Sequence, residues 1–300
     1  MSCLKCNLPF KRGQKPWYGL HGTCFQEWFG LAAPAEFAHV ALRSSPDQDS
    51  PVPGHLTSSF QGKFRKYSAD LGGERYILKV EEADYPELPV VEYLSNRIAR
   101  HLGLTVADFY LIDLHGLITF VAKNFIRPGK LTALHHLYHY LPPDDPFSVA
   151  GILAVIERET ERTVDARRFA ELCLFDALIG NHDRHGRNLA LIETARGKRL
   201  SPFYDNPSYI GIELEKLLGA QLNPTGKIAT SATAEPTMTD YAAELVALGY
   251  RKTVLRFYDR IALEELTGMV EDSPLGDRRK KAFARLMTAR YGELRDAIQR

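Results

Sequence analysis

Three side chains in the second half of the 300-residue sequence have the types and spacing needed for chemistry on a phosphate. Asp183 and Asn188 stand five residues apart, and Asp205 follows after an apolar run. A carboxylate can accept a proton from a hydroxyl nucleophile when it lies within hydrogen-bond reach. An asparagine amide oxygen and a second carboxylate are hard oxygen ligands of the kind that Mg²⁺ prefers. These residues therefore predict a site where a hydroxyl attacks a metal-bound phosphate.

The same stretch has two other interpretations. His182, Asp183 and His185 can form the metal-ligand cluster of a hydrolase, and residues of these types are also common in ordinary turns. The interval from Asp183 to Asn188 nevertheless equals that between the base and the metal-binding Asn of a kinase catalytic loop, which a second metal-binding Asp follows. The apolar run 189–192 predicts a short hairpin that carries both loops.

A lysine on a predicted strand can supply the positive charge that such a site needs. Residues 74–80 have the pattern of a strand that contains Lys79, and residues 58–67 predict its partner in a β-hairpin whose first loop is available to cover phosphates. Glu92 lies in the first turn of a helix predicted from about 90 to 102. There it can either hold Lys79 or complement the helix dipole.

The order of these features along the chain is that of a kinase, from loop, strand lysine and helix glutamate to the two acidic loops. We therefore predict an α+β fold of the bilobal protein-kinase type, with a small β-rich N-lobe and a larger helical C-lobe. Two more strand-like runs, 109–112 and 117–122, lead to a lobe connector predicted from Phe120 to Asn124, whose backbone would bind adenine. The remaining helices are predicted at 25–37, 131–140, 145–160, 164–179, 238–248, 252–263 and 278–299. The predicted divisions are a Cys/His segment at 1–43, a Pro-rich linker at 44–54, the N-lobe at 55–124 and the C-lobe at 125–300.

The N-terminal segment carries a second group of reactive residues, with the pattern C-x2-C followed by H-x2-C. Its members are Cys3, Cys6, His21 and Cys24. Thiolates and an imidazole at two-residue gaps can hold one tetrahedral zinc ion from two turns. Free thiols near the end of the chain are the alternative, and a redox motif is less favoured because no βαβ pattern surrounds the cysteines. The pattern predicts a structural Zn²⁺ site.

Three other features of the sequence are more typical of a structural role than of a reactive site. His135, His136 and His139 stand at helical spacing and are more typical of a mixed helix face than of a metal site. Cys173 falls on the apolar face of a predicted helix, so we expect a packed thiol. The basic cluster at 278–285 is more typical of a solvated helix face than of a nucleic-acid surface.

Composition limits the class of protein. The apolar fraction of 45% and the charged fraction of 25% are those of a globular protein, and the net charge of +1 gives no general attraction to nucleic acid or membrane. The sequence contains no apolar run of 18 residues, so no membrane-spanning helix is expected. Four cysteines without a secretory signal indicate reduced thiols in the cytoplasm.

Taken together, the motifs resemble those of the HipA-type serine/threonine kinases, the toxins of bacterial toxin–antitoxin operons. The resemblance covers roughly residues 55 to 215. It rests on SFQG-x3-K at 59–66, YILK at 76–79, ADYP-x5-E at 83–92, LIGN-x-D-x-H-x2-N at 178–188 and YD at 204–205. The chain looks more like the short HipT-type kinases, whose N-terminal subdomain is a separate small protein, than like the longer toxins.

The resemblance implies a role for each matching residue. Asp183 would be the catalytic base, Asn188 and Asp205 the Mg²⁺ ligands, Lys79 a contact of the ATP phosphates and Glu92 the partner of Lys79. ATP would also contact the phosphate loop, the connector and the catalytic loop, at Ser59, Gln61, Gly62, Phe120, Val121, Ala122 and His185. Ser59 matches the position at which the family autophosphorylates, whereas Gln61 stands where some relatives carry a second serine.

The implied substrate is a serine or threonine of a protein such as an aminoacyl-tRNA synthetase. The implied partners are a HipB-like antitoxin and a small HipS-like subunit, with DNA reached only through the antitoxin and no membrane. Two alternatives stay open: a catalytically weak kinase-fold module that acts with an antitoxin in transcriptional autoregulation, and a small-molecule kinase. Two residues depart from the family pattern, namely Ile126, where relatives often have Asp, and Asn206, where an apolar residue is more usual.

Overall fold

The computed structural model describes residues 2–43, 65–126, 132–142 and 147–299. Its first lobe is built on a five-stranded antiparallel sheet in the order β1-β2-β3-β5-β4. The strands are β1 (Ala38–Leu42), β2 (Arg65–Leu71), β3 (Glu74–Val80), β4 (Phe109–Leu114) and β5 (Leu117–Lys123). The predicted hairpin is confirmed as β2 and β3, which turn at Gly72 and Gly73. Both glycines have positive φ, 59° and 79°, a conformation that a side chain would disfavour. Residues 58–64 of the predicted partner strand lie outside the described part.

The two faces of this sheet have different neighbours, because successive residues of a strand point to opposite faces. On one face Tyr76 of β3 is buried against Phe29 of helix α1 (Gly22–Phe29), with ring centroids 5.6 Å apart. On the other face Lys79 points toward helix α2 (Leu88–His101), which packs along β4 and β5. The sheet therefore separates an apolar outer layer from the inner face that carries the candidate site.

The N-terminal segment belongs to this first lobe. Strand β1 pairs with β2 and forms the edge of the sheet, a strand that the sequence interpretation missed. Helix α1 begins before the predicted range of 25–37 and ends well inside it, because Gly30 has a φ of 66° and caps the helix in the left-handed conformation. The predicted linker at 44–54 lies outside the described residues.

Within the described residues, the second lobe consists of six helices beside a small antiparallel sheet in the order β6-β7-β8. These elements are α3 (Val149–Thr160), α4 (Thr163–Ile179), α5 (Met238–Ala247), α6 (Arg251–Asp259), α7 (Leu263–Glu271), α8 (Asp277–Ile298), β6 (Ala133–His136), β7 (Ala190–Thr194) and β8 (Gly197–Leu200). The predicted hairpin after Asn188 is confirmed as β7 and β8. Cys173 of α4 is fully buried, as expected for a packed thiol. No helix within the described ranges is long and apolar enough to cross a bilayer.

Two helix predictions are wrong. Residues 131–140 do not form a helix in the described part, where β6 is followed by a short 3-10 helix. Leu134 of β6 pairs with Ile192 of β7, and this tertiary pairing outweighs the weak helix signal from the histidine spacing. The helix predicted at 252–263 ends at Asp259, and the sequence interpretation missed α7.

Most of the basic cluster at the start of α8 is the solvated face that the sequence predicts, since Arg278, Lys281 and Arg285 are exposed, but Arg279 is an exception. Arg279 is 7% exposed, donates from Nε to Glu87 of the α2 N-terminus at 2.6 Å and also bonds the carbonyl oxygen of Ile210. Arg285 donates to the carbonyl oxygen of Leu218 at 2.6 Å. These bonds attach α8 to the first lobe and to the loops beside the candidate site.

Candidate active site

Lys79 lies at the centre of the candidate site and contacts two carboxylates from different parts of the chain. Its ammonium donates to Glu92 Oε1 of α2 at 2.5 Å and to a carboxylate oxygen of Asp205, which follows β8. Lys79 is 4% exposed and Glu92 is fully buried. Since Lys79 comes from the first lobe and Asp205 from the second, these ion pairs join the lobes at one point.

The pKa values of these groups follow from burial and from mutual attraction. Burial alone would lower the pKa of Lys79, but Asp205 and Glu92 outweigh it and raise that pKa to about 12. Burial alone would raise the pKa of Asp205, but the ammonium groups of Lys79 and Lys66 hold it well below its ordinary value. Burial, together with the second carboxylate at Asp205, keeps the pKa of Glu92 above its ordinary value. Lys79 and Asp205 therefore stay charged at neutral pH.

A second lysine faces the same site. Lys66 of β2 stands directly opposite Lys79 in the β2–β3 register, so both side chains leave the same face of the sheet. Like charges at directly opposite positions repel each other, which favours an anion beside both of them. The sequence interpretation gave Lys66 no role, although the register of the hairpin would have placed it.

The loop after α4 holds the predicted base. Helix α4 ends at Ile179, and Gly180 caps it with a φ of 68° that turns the chain out of the helix. The Asp183 N–H donates to Asn181 Oδ1 at 3.0 Å, and Asn188 Nδ2 donates to the Asp183 carbonyl oxygen at 3.2 Å. Asp183 and Asn188 are each 4% exposed. The bond between the Asn188 side chain and the Asp183 backbone thus closes the five-residue interval into a loop.

Arg184 connects this loop to the segment that carries Asp205. Its guanidinium is almost fully buried and forms a two-pronged pair with Asp176 of α4, at 2.8 and 2.9 Å. It also donates to the Tyr204 carbonyl oxygen at 2.8 Å and to Asn206 Oδ1 at 2.6 Å. Tyr204 and Asn206 flank Asp205, so Arg184 sets the position of both acidic loops relative to each other. The sequence interpretation did not single out Arg184. The signal that could have indicated its role is the pairing of Arg184 with Asp176, which lies on the buried face of α4.

The same network reaches helix α2. Asn206 Nδ2 donates to Asn96 Oδ1 at 2.9 Å, and Asn96 Nδ2 donates to the Glu92 carbonyl oxygen at 2.8 Å. Asn206 is fully buried and Asn96 is 3% exposed. A continuous chain of buried hydrogen bonds therefore runs from Arg184, in the loop after α4, to the residue that pairs with Lys79.

Asp205 itself has an uncommon backbone conformation. Its φ of 51° lies in the left-handed region, which Asp tolerates better than most residues. Such conformations persist where surrounding contacts determine them, and they are concentrated at functional sites. Here the contacts of Lys79 and Arg184 supply that constraint.

The predicted connector is displaced. Phe120, Val121 and Ala122 lie inside β5, which pairs on both sides with β3 and β4, so their backbone groups belong to the sheet. The connector therefore begins at Asn124, and the predicted adenine contact of the three β5 residues is corrected for this reason. A cleft of about 450 Å³ lies beside this connector. Its walls are formed by Asp108, Lys123, Asn124, Phe125, Thr132, Ile192, Thr194 and Arg199.

The remaining predicted contacts of ATP have different outcomes. His185 is 8% exposed, and its Nδ1 accepts a hydrogen bond from the Arg187 N–H at 3.2 Å. Burial lowers the pKa of His185 to about 4, so its ring is neutral at physiological pH. Ser59, Gln61 and Gly62 lie outside the described residues, and their roles stay predictions.

Potential metal ligands cluster elsewhere as well. Cys3, Cys6, His21 and Cys24 bring four ligand atoms within 4.8 Å of one another. Within the described ranges, no other group of three or more His, Cys, Asp or Glu residues does so. His182 instead packs its ring against Tyr209, and His135 pairs with Glu193 at 2.8 Å. The described residues therefore support neither a hydrolase metal cluster at His182 and His185 nor a metal site at His135, His136 and His139.

Comparison with known families decides the relationship. Residues 58–272 match the family model described as the HipA-like C-terminal domain, which is more than half of the chain. The chain belongs to the HipA-like C-terminal domain family. Among its relatives is Y4dM of Sinorhizobium fredii, which carries the provisional name of a kinase and is 28% identical over 73% of this chain and 57% of its own length. A second protein of that organism with the same kind of name, Y4mE, is 23% identical over 43% of this chain and 34% of its own length. The chain thus spans little more than half of the first relative and about a third of the second.

Two solved structures have the same fold as this HipA-like chain. The proinflammatory kinase CtkA of Helicobacter pylori aligns with a TM-score of 0.66 and 16% identity, over 78% of this chain and 93% of CtkA. HipA of Shewanella oneidensis MR-1, solved with HipB and its operator DNA, aligns with a TM-score of 0.58 and 17% identity, over 90% of this chain and 76% of HipA. The predicted α+β fold with a small sheet lobe and a helical lobe is therefore confirmed.

The departure from the HipA-type pattern at Asn206 has a structural reason in this chain. An apolar residue there would leave the Asn96 amide oxygen and one donor of Arg184 without their partner, in a region that is closed to water. A buried polar group that loses its partner costs about 1–3 kcal/mol. Asn206 therefore belongs to a matched set with Asn96 and Arg184.

This matched set predicts coupling between Asn96 and Asn206. Asn96→Ala and Asn206→Ala should each lower the free energy of unfolding by about 1–3 kcal/mol, because each leaves a buried partner unsatisfied. The double variant should lose less than the sum of the two, by about 0.5–3 kcal/mol, because the shared hydrogen bond is lost only once. Urea denaturation of the four proteins measures this difference.

A second cycle provides the control. Asn223 is exposed, so Asn223→Ala combined with Asn206→Ala should be additive within about 0.5 kcal/mol. Additive losses in the Asn96 and Asn206 cycle would show that the hydrogen bond between them does not couple α2 to the Asp205 loop.

Proposed function

We propose that this chain is an ATP-dependent serine/threonine protein kinase of the HipA type. The observation that carries the proposal is the buried ammonium of Lys79, paired with Glu92 of α2 and with Asp205 of the second lobe. In protein kinases a strand lysine, a helix glutamate and a metal-binding aspartate form this combination at the nucleotide phosphates. Membership of the family and the fold shared with CtkA and HipA also support it.

The donors around Asp205 fit the magnesium ion that such a kinase uses. Asp205 carries a carboxylate with a depressed pKa, and the hydrogen bond from Asn188 Nδ2 to Asp183 leaves the Asn188 amide oxygen as the acceptor end. Oxygen donors of these two kinds are typical Mg²⁺ ligands. When bound with ATP, the ion would supply positive charge to the β- and γ-phosphates. Asn188 and Asp205 are the residues that would hold it.

The protein itself contributes orientation, charge and a proton acceptor. Lys79 keeps its charge because its pKa is raised to about 12, so it offsets negative charge on the phosphates during transfer. The backbone of Asp183 is held on both sides: its N–H donates to Asn181 Oδ1, and its carbonyl oxygen accepts from Asn188 Nδ2. Asp183 is also nearly fully buried. It would orient the attacking hydroxyl and accept its proton. His185, neutral at physiological pH, adds no charge that would oppose a cation at Asp205.

Substrate and partners are inferred from the family. A HipA-type kinase of this kind would act on a serine or threonine of a protein, for which an aminoacyl-tRNA synthetase is our candidate. The structure of Shewanella oneidensis HipA with HipB and operator DNA supports a HipB-like antitoxin as partner, with DNA reached through it. A small HipS-like subunit is a second proposed partner, and the site of action would be the cytoplasm. The connector that begins at Asn124 would provide the contacts of the adenine base.

The first prediction from this proposal concerns Asp183. Asp183→Asn should leave ATP affinity nearly unchanged, because the base does not hold the nucleotide, and should lower phosphoryl transfer by about 10²–10⁴-fold. Isothermal titration with ATP and Mg²⁺ measures binding, and transfer of labelled γ-phosphate measures turnover.

Asp259→Asn is the matched control, because Asp259 is an exposed carboxylate at the end of α6. It should keep the wild-type rate. Wild-type turnover by Asp183→Asn would show that Asp183 is not the base, and failure of the unaltered chain to bind ATP would overturn the kinase proposal itself.

The second prediction concerns autophosphorylation in the phosphate loop. Incubation with ATP and Mg²⁺ should place a single phosphate on Ser59, because Gln61 replaces the second serine of some relatives. Ser59→Ala should abolish this modification, whereas Ser58→Ala, which removes the neighbouring hydroxyl, should keep it. Mass spectrometry of tryptic peptides distinguishes the two serines, and a phosphate that persists in Ser59→Ala would contradict the assignment.

A further inference from the structure

The N-terminal segment brings four ligand atoms together at one end of the first lobe, in a set named here the Cys/His cluster. Its members are Cys3, Cys6, His21 and Cys24. One ligand atom from each lies within 4.8 Å of the other three, although the residues come from two separate turns of the chain. The site that transfers phosphate in our proposal uses none of them.

Two distances within the Cys/His cluster match the edges of a metal tetrahedron. For Zn–S bonds of about 2.3 Å and Zn–N bonds of about 2.0 Å, the tetrahedral angle gives S to N edges of ~3.5 Å. His21 Nδ1 lies 3.3 Å from Cys6 Sγ and 3.8 Å from Cys24 Sγ. These two distances lie on either side of the expected edge, so one small cation can contact all of these atoms.

The backbone around the ligands is already arranged in two tight turns. In the first, the Cys3 N–H donates to the Leu8 carbonyl oxygen, and the Asn7 N–H donates to the Cys3 carbonyl oxygen, both at 2.9 Å. In the second, Trp17 and Leu20 exchange backbone hydrogen bonds. The His21 N–H donates to Cys3 Sγ at 3.4 Å, which joins the two turns at a sulfur. A hydrogen bond to a ligand sulfur from the opposite turn orients the thiolate before a metal binds.

The second turn is also fitted against the main sheet. Gly19 has a φ of 74°, and a Cβ atom there would lie 2.9 Å from Leu4 Cδ1 and 3.0 Å from Asp113 Cβ. The Asp113 N–H of β4 donates to the Tyr18 carbonyl oxygen at 3.0 Å. Only glycine allows the turn to approach both neighbours this closely. The Cys/His cluster is therefore attached to the strand at the edge of the sheet.

Between the cluster and the sheet lies an apolar layer. Cys3 is fully buried in this layer, whereas Cys6 is exposed and Cys24 is partly exposed, so the cluster sits at its rim. The layer covers the sheet face opposite to Lys79 and consists mainly of Leu20, Phe25, Phe29, Phe37, Tyr76, Leu78 and Tyr110. Half of this layer comes from the short N-terminal segment. A metal ion that links the ligands at the rim would therefore tie this segment to the lobe and couple metal binding to folding.

We propose that the Cys/His cluster binds one structural zinc ion, which fastens the N-terminal segment to the outer face of the first-lobe sheet. All four positions of the tetrahedron are filled by protein atoms, which is the arrangement of structural and not catalytic zinc. His21 uses Nδ1 as its ligand atom, so Nε2 carries the ring proton.

Metal content of the full chain tests this directly. Protein purified with reductant should contain equimolar zinc by mass spectrometry, released on treatment of its thiols with a mercurial. Loss of a hydrogen bond that supports a metal ligand lowers metal affinity by about 10–100-fold. Cys24→Ser removes a ligand itself, so it should lower zinc affinity by more than this and should also lower the midpoint of thermal unfolding. Cys173→Ser, which alters a buried thiol in α4, should keep equimolar zinc.

A variant that keeps four metal ligands distinguishes loss of zinc from a general folding defect. His21→Cys supplies a fourth thiolate, so it should retain zinc and the wild-type midpoint, whereas His21→Ala should lose both. Substitution of Co²⁺ for zinc should produce the visible absorption of a tetrahedral thiolate complex. Wild-type protein without zinc, or with a disulfide among these cysteines under reducing conditions, would overturn the proposal. ATP binding is not needed for any of these measurements, so they separate this proposal from that of the kinase.

Discussion

The structure depends on one buried positive charge. An ammonium removed from water is costly unless carboxylates surround it, so Lys79 in its β3 position requires both Glu92 and Asp205. Glu92 comes from a helix of the same lobe, whereas Asp205 comes from the other lobe, 126 residues further along the chain. This requirement fixes how the sheet, α2 and the loop after β8 meet, and it creates the highly charged point at which our proposal places a nucleotide phosphate and its cation.

The second lobe satisfies this requirement through Arg184. A guanidinium has five N–H donors, and those of Arg184 bond both Asp176 carboxylate oxygens, the Tyr204 and Asn188 carbonyl oxygens and Asn206 Oδ1, which joins the two acidic loops into one unit. The hydrogen bonds from Asn206 through Asn96 then extend this unit into α2. Removal of one member would leave others buried without partners, and the network therefore links the position of the loop after α4 to that of Lys79.

Much of this site could be predicted from the sequence, because each predicted residue lies in a short motif that can be recognised without its distant partners. The hairpin, the apolar stripe of α2 and the Asp-x4-Asn spacing all have short-range signals. The start of the connector could not be predicted, since Phe120 looks the same at a strand end and within a strand that is paired on both sides. Arg184 and β6 depend on partners far away in sequence, which no local pattern contains.

A crystal structure of the chain with Mg²⁺ and a non-hydrolysable ATP analogue tests the central claim most directly. Our account predicts that the phosphates lie between Lys79 and the Asn188–Asp205 pair, with the Asp183 carboxylate facing the terminal phosphate. The Arg184 network should be unchanged. A nucleotide bound away from Lys79, or a metal ion that contacts neither Asn188 nor Asp205, would contradict it.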